Sequence, residues 1–517
     1  MRIGIDVGGT NTDAVLMDGR RVIAKIKTPT TEDVTSGITT AMRHVLSASG
    51  TDAARITAVM IGTTHFVNAV LERKHLAPTA SVRLGLPATA ALPPMSDWPT
   101  ELRTAIGGHS FLAHGGREFD GRPISGVRPD ELREIGRKIA DLGITCIALS
   151  SVFAPVSADD EAEAAEILAA AVPGADITLS SEIGRMGMLE RENAGILNAC
   201  LRPLAQRTIR AFRQALAEQG IRAPLYLTQN DGTLMGAEYA ERYPVLTFAS
   251  GPTNSMRGAA FLSGLEDAMV VDIGGTSTDV GALIRGFPRE ASVAVRVGGV
   301  RTNFRMPDVF SIALGGGSII GQDPWDIGPE SVGFRITQRA RVFGGDTLTT
   351  TDIAVASGAV TLGDGSRVAG LDADFVGRAV DRMHEMVEEA MDRMKLVAGD
   401  IPVILVGGGS ILIQRKLRGA SEIVKPDHFE AANAVGAAIA QISGDIDRVY
   451  NLAEMSREEA LAAARREAVE KAAAAGADPD TVKIVDIEDI PLAYLPSNAT
   501  RIRVKAVGDL AERGEVA

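Results

Sequence analysis

A chain of 517 residues exceeds a single small domain, and its 45% hydrophobic and 23% charged residues are typical of two or three soluble domains with buried cores. A net charge of −13 and 4% aromatic residues argue against a nucleic-acid-binding surface, which needs basic and stacking side chains. Two cysteines cannot form a disulfide framework or a four-cysteine metal centre, and the scattered histidines show no spacing typical of zinc.

The sequence also bears on where the protein acts. No uninterrupted apolar run is long enough to span a bilayer. Met1 and Arg2 lead directly into a strand-like run rather than into the apolar core of a signal peptide. We therefore expect a cytoplasmic protein that acts neither at a membrane nor on nucleic acid.

Strand and helix patterns alternate along the chain, which favours an α/β architecture. The Pro- and Ala-rich residues 78–100 are expected to form a loop, and a long helix over 185–219 is expected to be interrupted near Pro203. The remaining elements predicted up to residue 414 are strands at 2–7 and 14–17, a helix at 32–48, a strand at 58–62, a helix at 128–143, a strand at 144–153, a helix at 157–172, a strand and turn at 224–232, two strands around a turn at 268–284, a helix at 374–399 and a strand from 401 into a triple glycine.

One octet near the N-terminus nearly recurs in the second half of the chain, as DVGGTNTD at 6–13 and DIGGTSTD at 272–279. A single Gly-Gly turn between strands would be an ordinary hairpin. Here each turn follows an aspartate, Asp6 or Asp272, and precedes hydroxyl or amide side chains and a second aspartate. Backbone N–H groups and hydroxyls suit phosphate oxygens, and carboxylates suit Mg²⁺ beside them. The octets thus predict two halves of a Mg-nucleotide clamp, with the phosphate ligands Gly8, Gly9, Thr10, Asn11, Gly274, Gly275, Thr276 and Ser277.

Paired phosphate hairpins followed by a glycine-rich turn resemble the actin, sugar-kinase and heat-shock chaperone ATPase superfamily. The later turn is ILVGGGSILIQ at 404–414, which is similar to the adenosine motif of that superfamily. The resemblance implies an α/β fold of two actin-like, ribonuclease H-like lobes with a nucleotide cleft between them. It also implies ATP as a cofactor, with adenine and ribose beside Gly407, Gly408, Gly409 and Ser410.

Further motifs narrow the resemblance to the hydantoinase A / 5-oxoprolinase family, and they occur in the order of that family across roughly residues 2–445. The motifs are IGTTHFVNAVLE at 61–72, RENAGILNACL at 191–201, TQNDGTLM at 228–235, SGPTNSMRGAAFL at 250–262, VVDIGGTSTDVGAL at 270–283, LGGGSI at 314–319 and GPESVG at 328–333. The resemblance implies an N-terminal lobe at 1–184 and a second lobe at 185–448. Residues 449–517 read as a small C-terminal α+β appendage that contacts an oligomer mate or a partner.

The family resemblance implies an enzyme that uses ATP and Mg²⁺ to activate the carbonyl of a cyclic amide, such as a hydantoin or a 5-oxoproline-like lactam, for hydrolysis. It also implies a second catalytic subunit of the hydantoinase B type or an equivalent. Ketone carboxylase subunits belong to the same group, so a carboxylase subunit is one alternative. A chaperone or reactivase that uses ATP to act on a protein is another.

The carboxylates of the two octets are the predicted centre of the chemistry. Asp6 and Asp272 are expected to serve the metal or the attacking group, and Asp279 is a further metal candidate. For Asp13 and Asp279, a role in stabilising the hairpins is an equal alternative.

The substrate-side candidate is the run GTTHFVNAV, which begins at the end of a predicted strand. Its hydroxyl, imidazole and amide groups would bind a polar small molecule. The alternative is that the two threonines cap the helix that follows. The predicted substrate residues are Thr63, Thr64, His65 and Asn68.

Overall fold

The computed structural model describes residues 1–8, 11–29, 34–183, 186–291, 295–453, 455–492 and 499–511. The strands are β1 (Arg2–Val7), β2 (Asn11–Asp18), β3 (Arg21–Pro29), β4 (Ala58–Thr63), β5 (Thr79–Leu86), β6 (His109–His114), β7 (Cys146–Ser151), β8 (Asp176–Leu179), β9 (Leu225–Thr228), β10 (Thr233–Gly236), β11 (Ala268–Ile273), β12 (Thr278–Ile284), β13 (Phe287–Pro288), β14 (Val295–Val297), β15 (Val300–Thr302), β16 (Val309–Ile312), β17 (Ser318–Ile320), β18 (Ile327–Ser331), β19 (Ile401–Val406), β20 (Ala420–Val424), β21 (Gln441–Tyr450), β22 (Lys483–Pro491) and β23 (Thr500–Gly508). The helices are α1 (Val34–Ser49), α2 (His65–Glu72), α3 (Thr100–Ala105), α4 (Pro129–Asp141), α5 (Asp159–Ala171), α6 (Met188–Glu218), α7 (Ala237–Arg242), α8 (Ser250–Ser263), α9 (Ile336–Arg339), α10 (Thr350–Ala356), α11 (Ala373–Met394), α12 (Ala432–Ala438) and α13 (Arg457–Ala474).

The sheet that carries the first octet is the largest one within the described residues, with nine strands in the order β22-β23-β21-β10-β9-β4-β1-β2-β3. Strand β1 is buried at Ile3 and Ile5, as expected for a central strand covered on both faces. It pairs antiparallel with β2 and parallel with β4, which in turn runs parallel to β9. The carboxyl ends of β1, β4 and β9 therefore meet at one edge, where ligands of α/β sheets commonly bind.

A second sheet carries the second octet, with strand order β13-β12-β11-β19-β20 and β16 paired with β12. Its first hairpin, β11–β12, is antiparallel, and β19 lies parallel to β11. Each of the two sheets thus begins with the same hairpin and places a parallel strand beside its first strand. The predicted α/β fold with two lobes is confirmed.

A smaller parallel sheet, in the order β6-β5-β7-β8, is inserted between β4 and α6. The prediction of a loop over residues 78–100 is wrong at its start, because β5 is a buried central strand of this sheet. Arg83 places a charged residue within the otherwise largely apolar sequence of this strand. Its guanidinium is buried and forms an ion pair with Glu192 of α6, with Nη2 2.5 Å from Oε1 and Nε 2.7 Å from Oε2. A charged residue can occupy a central strand when it is paired in this way.

The predicted interruption near Pro203 is also wrong, because α6 is one helix of 31 residues that continues through that proline. Proline removes one backbone donor, and its ring disfavours a straight helix. The neighbouring side chains of Leu201, Leu204 and Ala205 are buried in the core. Packing of that face therefore maintains the helix despite the missing hydrogen bond.

The C-terminal segment has the α+β content expected for it, and its strands continue the first sheet. Strand β21 pairs with β10 on one side and with β23 on the other, and β22 completes that edge. The sheets also cross the predicted division at residue 184, since β9 and β10 extend the sheet that β1 and β4 begin. The ranges 1–184, 185–448 and 449–517 remain a prediction about how the chain divides into units.

Two helices cross very closely behind the hairpins. A Cβ atom added to Gly436 of α12 would lie 1.9 Å from the carbonyl oxygen of Asn254 on α8. Such a distance is impossible without separating the helices, so the close crossing requires glycine at this position.

We therefore expect Gly436→Ala to destabilise the protein by about 2 kcal/mol or more, since overpacking a tight contact forces backbone shifts. Gly377→Ala is the matched control, because Gly377 lies on the exposed face of α11 with no atom within 4 Å of the added Cβ. That control should be neutral or stabilising by about 0.5–1 kcal/mol. Urea denaturation of the two variants measures the difference, and equal midpoints would contradict the close crossing.

No helix among the described residues has the length and apolar character needed to cross a bilayer.

Candidate nucleotide site

The two octets fold into hairpins of the same register. Asp6 pairs with Asp13 across β1 and β2, and Asp272 pairs with Asp279 across β11 and β12. The turns close in the same way: the N–H of Gly8 donates to the Asn11 carbonyl over 3.0 Å, and that of Gly274 donates to the Ser277 carbonyl over 2.8 Å. The recurrence in sequence is therefore a recurrence in structure. Gly9 and Thr10, at the tip of the first turn, lie outside the described residues.

Asp6 lies at the carboxyl end of β1, and its side chain is buried. The amide Nδ2 of Asn254 donates to Oδ1 over 3.3 Å, and that of Asn433 donates to Oδ2 over 3.3 Å. Burial, and then the charge of Asp13, raises the pKa of Asp6 to about 7. Asp6 is thus held by neutral donors at a pKa where it can bind or release a proton near neutral pH.

Asp272 lies at the equivalent position in the second sheet, and burial raises its pKa to about 6. The two hairpins are close enough to interact electrostatically, because Asp272 raises the pKa of Asp6 and Asp13 raises that of Asp272. The two octet hairpins therefore lie near each other.

The third predicted element lies against the second hairpin. Strand β19 ends beside Asp272, with Val406 as its register partner. Gly407 follows with φ +82°, and a Cβ there would lie 2.3 Å from Asp272 Oδ1. Glycine is needed at this position for both reasons. Gly407 and Gly409 thus lie against the second octet hairpin, and the adenosine-binding role of Gly407, Gly408, Gly409 and Ser410 stays a prediction.

A further glycine run, LGGGS at 314–318, supports the second hairpin from outside. The N–H groups of Gly316 and Gly317 donate to the carbonyls of Gly274 and Gly275 over 3.0 and 2.7 Å. These bonds occupy the carbonyl groups of the turn. The N–H groups of Gly275 and Thr276 donate to no other described residue. Amide groups without an internal acceptor at a glycine turn are the typical ligands of an anionic oxygen.

The second aspartate of each octet has a partner. The ammonium of Lys27 lies 2.7 Å from the Asp13 carboxylate, and the Ser311 hydroxyl donates to Asp279. Burial raises the pKa of both carboxyls. These contacts favour a structural role for Asp13, and the metal-binding role of Asp279 stays a prediction.

Of the predicted substrate residues, three lie beside the first hairpin. The Thr64 hydroxyl donates to the Val7 carbonyl over 3.4 Å and accepts from the Asn68 amide over 3.3 Å. Thr63 is buried, and its hydroxyl accepts the His65 N–H over 3.1 Å, whereas Thr64 makes no capping bond.

His65 begins α2, and its ring has charged neighbours other than the hairpin aspartates. Burial lowers its pKa, and the nearby charged or titratable groups are those of His75, Arg207 and Glu72. The substrate roles of Thr63, Thr64, His65 and Asn68 remain predictions.

Asn254 and Asn433 are site residues that sequence reasoning missed. Both donate to Asp6, although they lie on α8 and α12, far from it in the chain. Their motifs, SGPTNS and AANAVG, were visible in the sequence. A single asparagine within such a motif carries no signal of its own, because only the helix crossing brings both amides to one carboxylate.

The donor set fits Mg²⁺. Asp6 and Asp272 are carboxylates at equivalent positions near the ends of β1 and β11, and neither forms an ion pair with a lysine or arginine of the described ranges. Mg²⁺ in nucleotide enzymes is usually held by one or two carboxylates together with phosphate and water oxygens. A divalent cation bound by these groups would stabilise the ionised carboxylates, which burial disfavours.

A cleft of about 870 Å³ opens beside the turn that follows β9, and its wall includes Gln229, Asp231, Phe304 and Arg305. This volume lies in the range typical of small-molecule sites. Its lining within the described residues does not include the four predicted substrate residues. The cleft is therefore a second place where a small molecule has room beside the same sheet edge.

Two curated relatives of this chain are named as enzyme subunits. The chain is 27% identical over 421 residues to the caprolactamase subunit alpha of Pseudomonas jessenii, covering 75% of this chain and 59% of the relative. It is 26% identical over 395 residues to the acetophenone carboxylase gamma subunit of Aromatoleum aromaticum, covering 69% and 53%. The chain spans 53 to 62% of the length of the curated relatives it matches.

The crystal structure of the ATP-dependent caprolactamase from Pseudomonas jessenii has the same fold, with a TM-score of 0.78 at 17% identity over 99% of this chain and 88% of the other. Residues 2–172 match the hydantoinase/oxoprolinase N-terminal region, and residues 191–366 match the hydantoinase/oxoprolinase model. Together these matches extend over both octets, and the chain belongs to the hydantoinase/oxoprolinase family.

Proposed function

We propose that this chain binds Mg-ATP between its two glycine hairpins and phosphorylates the carbonyl oxygen of a small cyclic amide, preparing that amide for hydrolysis. The observation that carries the proposal is the pair of hairpins in identical register, each with an aspartate near the end of its first strand, buried at Asp6 and half-buried at Asp272. The relative named as a caprolactamase subunit supports a lactam, and hydantoins and 5-oxoproline-like lactams are the substrate class we propose.

The chemistry explains why such a reaction needs ATP. An unstrained amide has a weakly electrophilic carbonyl carbon and a poor nitrogen leaving group. Bound Mg-ATP would supply a γ-phosphoryl group that converts the amide carbonyl into an imidate-like phosphate, whose carbon water can attack. The C–N bond then breaks, the ring nitrogen leaves as an amine, and hydrolysis of the remaining acyl phosphate releases phosphate. The protein then mainly positions the reactants and neutralises charge on the phosphoryl oxygens.

The residues divide this work between the lobes. The free amides of Gly275 and Thr276, together with the first hairpin, bind phosphate oxygens. Asp6 and Asp272 hold the cation or serve the attacking group. The 407–410 turn holds the nucleoside beside Asp272.

A second subunit is part of the proposal. Both relatives that supply an activity are named as subunits. We infer that a partner of the hydantoinase B type, or an equivalent, completes the hydrolysis.

A ketone carboxylase subunit is the second candidate. The acetophenone carboxylase relative matches nearly as well as the caprolactamase relative, at 26% against 27% identity. The same hairpins would then phosphorylate bicarbonate or an enol oxygen. The two candidates differ in the acceptor of the phosphoryl group and not in the nucleotide site.

The test is Mg-ATP turnover by the purified chain with separate panels of lactams, hydantoins, and ketones plus bicarbonate. Stimulation by a cyclic amide, with release of ADP, is the expected result. Stimulation only by ketone and bicarbonate would favour the carboxylase. Nucleotide binding without stimulation by any panel would exclude activation of these substrates by the chain alone. A failure to bind nucleotide would exclude the proposed nucleotide site.

A further inference from the structure

A buried ion pair joins the C-terminal strand to the edge of the sheet that carries Asp6. Lys505 on β23 places its ammonium 2.6 Å from Asp231, and both side chains are at most 7% exposed. Asp231 lies in the turn between β9 and β10, while Lys505 lies opposite Asp445 of β21. Lys505 therefore reaches past β21 to a turn that lies far from it in sequence.

Asp231 is fixed by more than this pair. Its Oδ1 accepts the Thr233 N–H over 3.1 Å and the Thr233 hydroxyl over 2.6 Å. Burial opposes its ionisation, but the Lys505 ammonium lowers the pKa of Asp231 below its ordinary value. The pair is therefore charged, and it holds the 229–232 turn at the carboxyl edge of the sheet.

The same turn is joined to the start of α8. The Asn230 side chain accepts the N–H of Ala249 over 2.7 Å and donates to the Val245 carbonyl over 3.1 Å. The Thr253 hydroxyl donates to the Asn230 carbonyl over 2.8 Å. One turn thus fixes the backbone that leads into α8 and the first residues of the helix itself.

α8 carries the amide that holds the proposed catalytic aspartate. Asn254 follows Thr253 directly, and its Nδ2 donates to Asp6 over 3.3 Å and to the Thr228 hydroxyl over 3.1 Å. A shift of the turn would move α8 and this amide relative to β1. The contacts are continuous from Lys505 to Asp6.

We propose that Lys505 is a positioning residue of the nucleotide cleft: by holding Asp231 it fixes the 229–232 turn and, through α8, the Asn254 amide that binds Asp6. The proposal rests on the proposed function for its effect on turnover. In this proposal the C-terminal segment supports the nucleotide cleft of its own chain, in addition to the partner contact expected from the sequence.

The test uses the full chain with three variants. Lys505→Met combined with Asp231→Asn removes both charges of the pair, so that neither partner is left as an unpaired buried charge. Lys505→Arg keeps the cation. Arg501→Met is the matched control, because Arg501 lies on the same strand and pairs with Asp447 over 2.6 Å, away from the turn.

Two measurements decide the outcome. In the double variant we expect faster hydrogen exchange at 229–233 and 249–256, together with an about tenfold lower kcat for Mg-ATP and a KM changed by less than about twofold, since small displacements mainly affect reactive geometry. Lys505→Arg should retain most of the wild-type kcat. Arg501→Met should change neither kcat nor hydrogen exchange.

Faster exchange confined to 499–508 would overturn the proposal, as would an unchanged kcat with exchange raised at 249–256. If the wild-type chain turns over no ATP, the proposed function fails, and hydrogen exchange at 249–256 alone then decides whether Lys505 positions α8.

Discussion

Replacing Asp272 with alanine is expected to lower Mg-ATP turnover by on the order of 10³-fold while leaving the fold intact. Asp272 lies near the end of β11, beside the turn at Gly274 and Gly275 and beside the 407–410 turn. It is a proposed ligand of the cation that neutralises the transferring phosphoryl group, and electrostatic groups of this kind commonly contribute 10²–10³-fold or more to the rate. Steady-state turnover and the affinity for Mg²⁺ are the measurements.

Asp267→Ala is the control for that experiment. Asp267 immediately precedes the same strand at its other end, is exposed, and accepts the N–H of Arg285. It should retain turnover within about twofold, since surface substitutions away from such a site have small effects. Comparable losses in the two variants would indicate general damage to β11, and full activity of Asp272→Ala would exclude the clamp as proposed.

The hairpins could be predicted because their information is local. Two strands of apolar residues, a Gly-Gly turn and flanking aspartates specify each one, and the register places Asp6 opposite Asp13 as it places Asp272 opposite Asp279. The family and the α/β fold followed from the same motifs, and both are confirmed. The roles proposed for the individual side chains stay predictions.

The support of the site could not be predicted, because it depends on contacts between distant parts of the chain. Asn254 and Asn433 meet at Asp6 only because α8 and α12 cross at Gly436. Lys505 was one basic residue in an alternating strand pattern, and nothing local connects it with Asp231. For β5 the sequence signal was misleading, because the prolines that suggested a loop lie on either side of the strand, and a buried ion pair allows Arg83 within it.

Asp6→Asn is expected to abolish turnover and, at alkaline pH, to stabilise the cation-free protein. The fold raises the pKa of Asp6 from its ordinary value of 3.8 to about 7, chiefly by burial. Between pH 4 and 7 the folded chain therefore keeps a proton that the unfolded chain has released. The free energy of unfolding contributed by this group then falls as pH rises through that window, and the full penalty is present above pH 7.

Asparagine removes this penalty because it is uncharged and nearly the same size. The gain should be at most about 4 kcal/mol above pH 7 and near zero at pH 4, taking 1.36 kcal/mol per pKa unit. Thermal unfolding at pH 4 and pH 8 in the presence of a chelator measures it. Mg²⁺ with nucleotide should reverse the order at pH 8, because ligand binding stabilises only a fold that retains the carboxylate.

Destabilisation of Asp6→Asn at both pH values would show instead that the amides of Asn254 and Asn433 need an ionised acceptor for the fold itself. The expected pattern has a different meaning. A buried carboxylate that weakens the cation-free protein, and that only a bound cation makes favourable, is retained for its ligand. Part of the binding energy of Mg-ATP would then offset the free energy that the buried Asp6 carboxylate costs the cation-free fold.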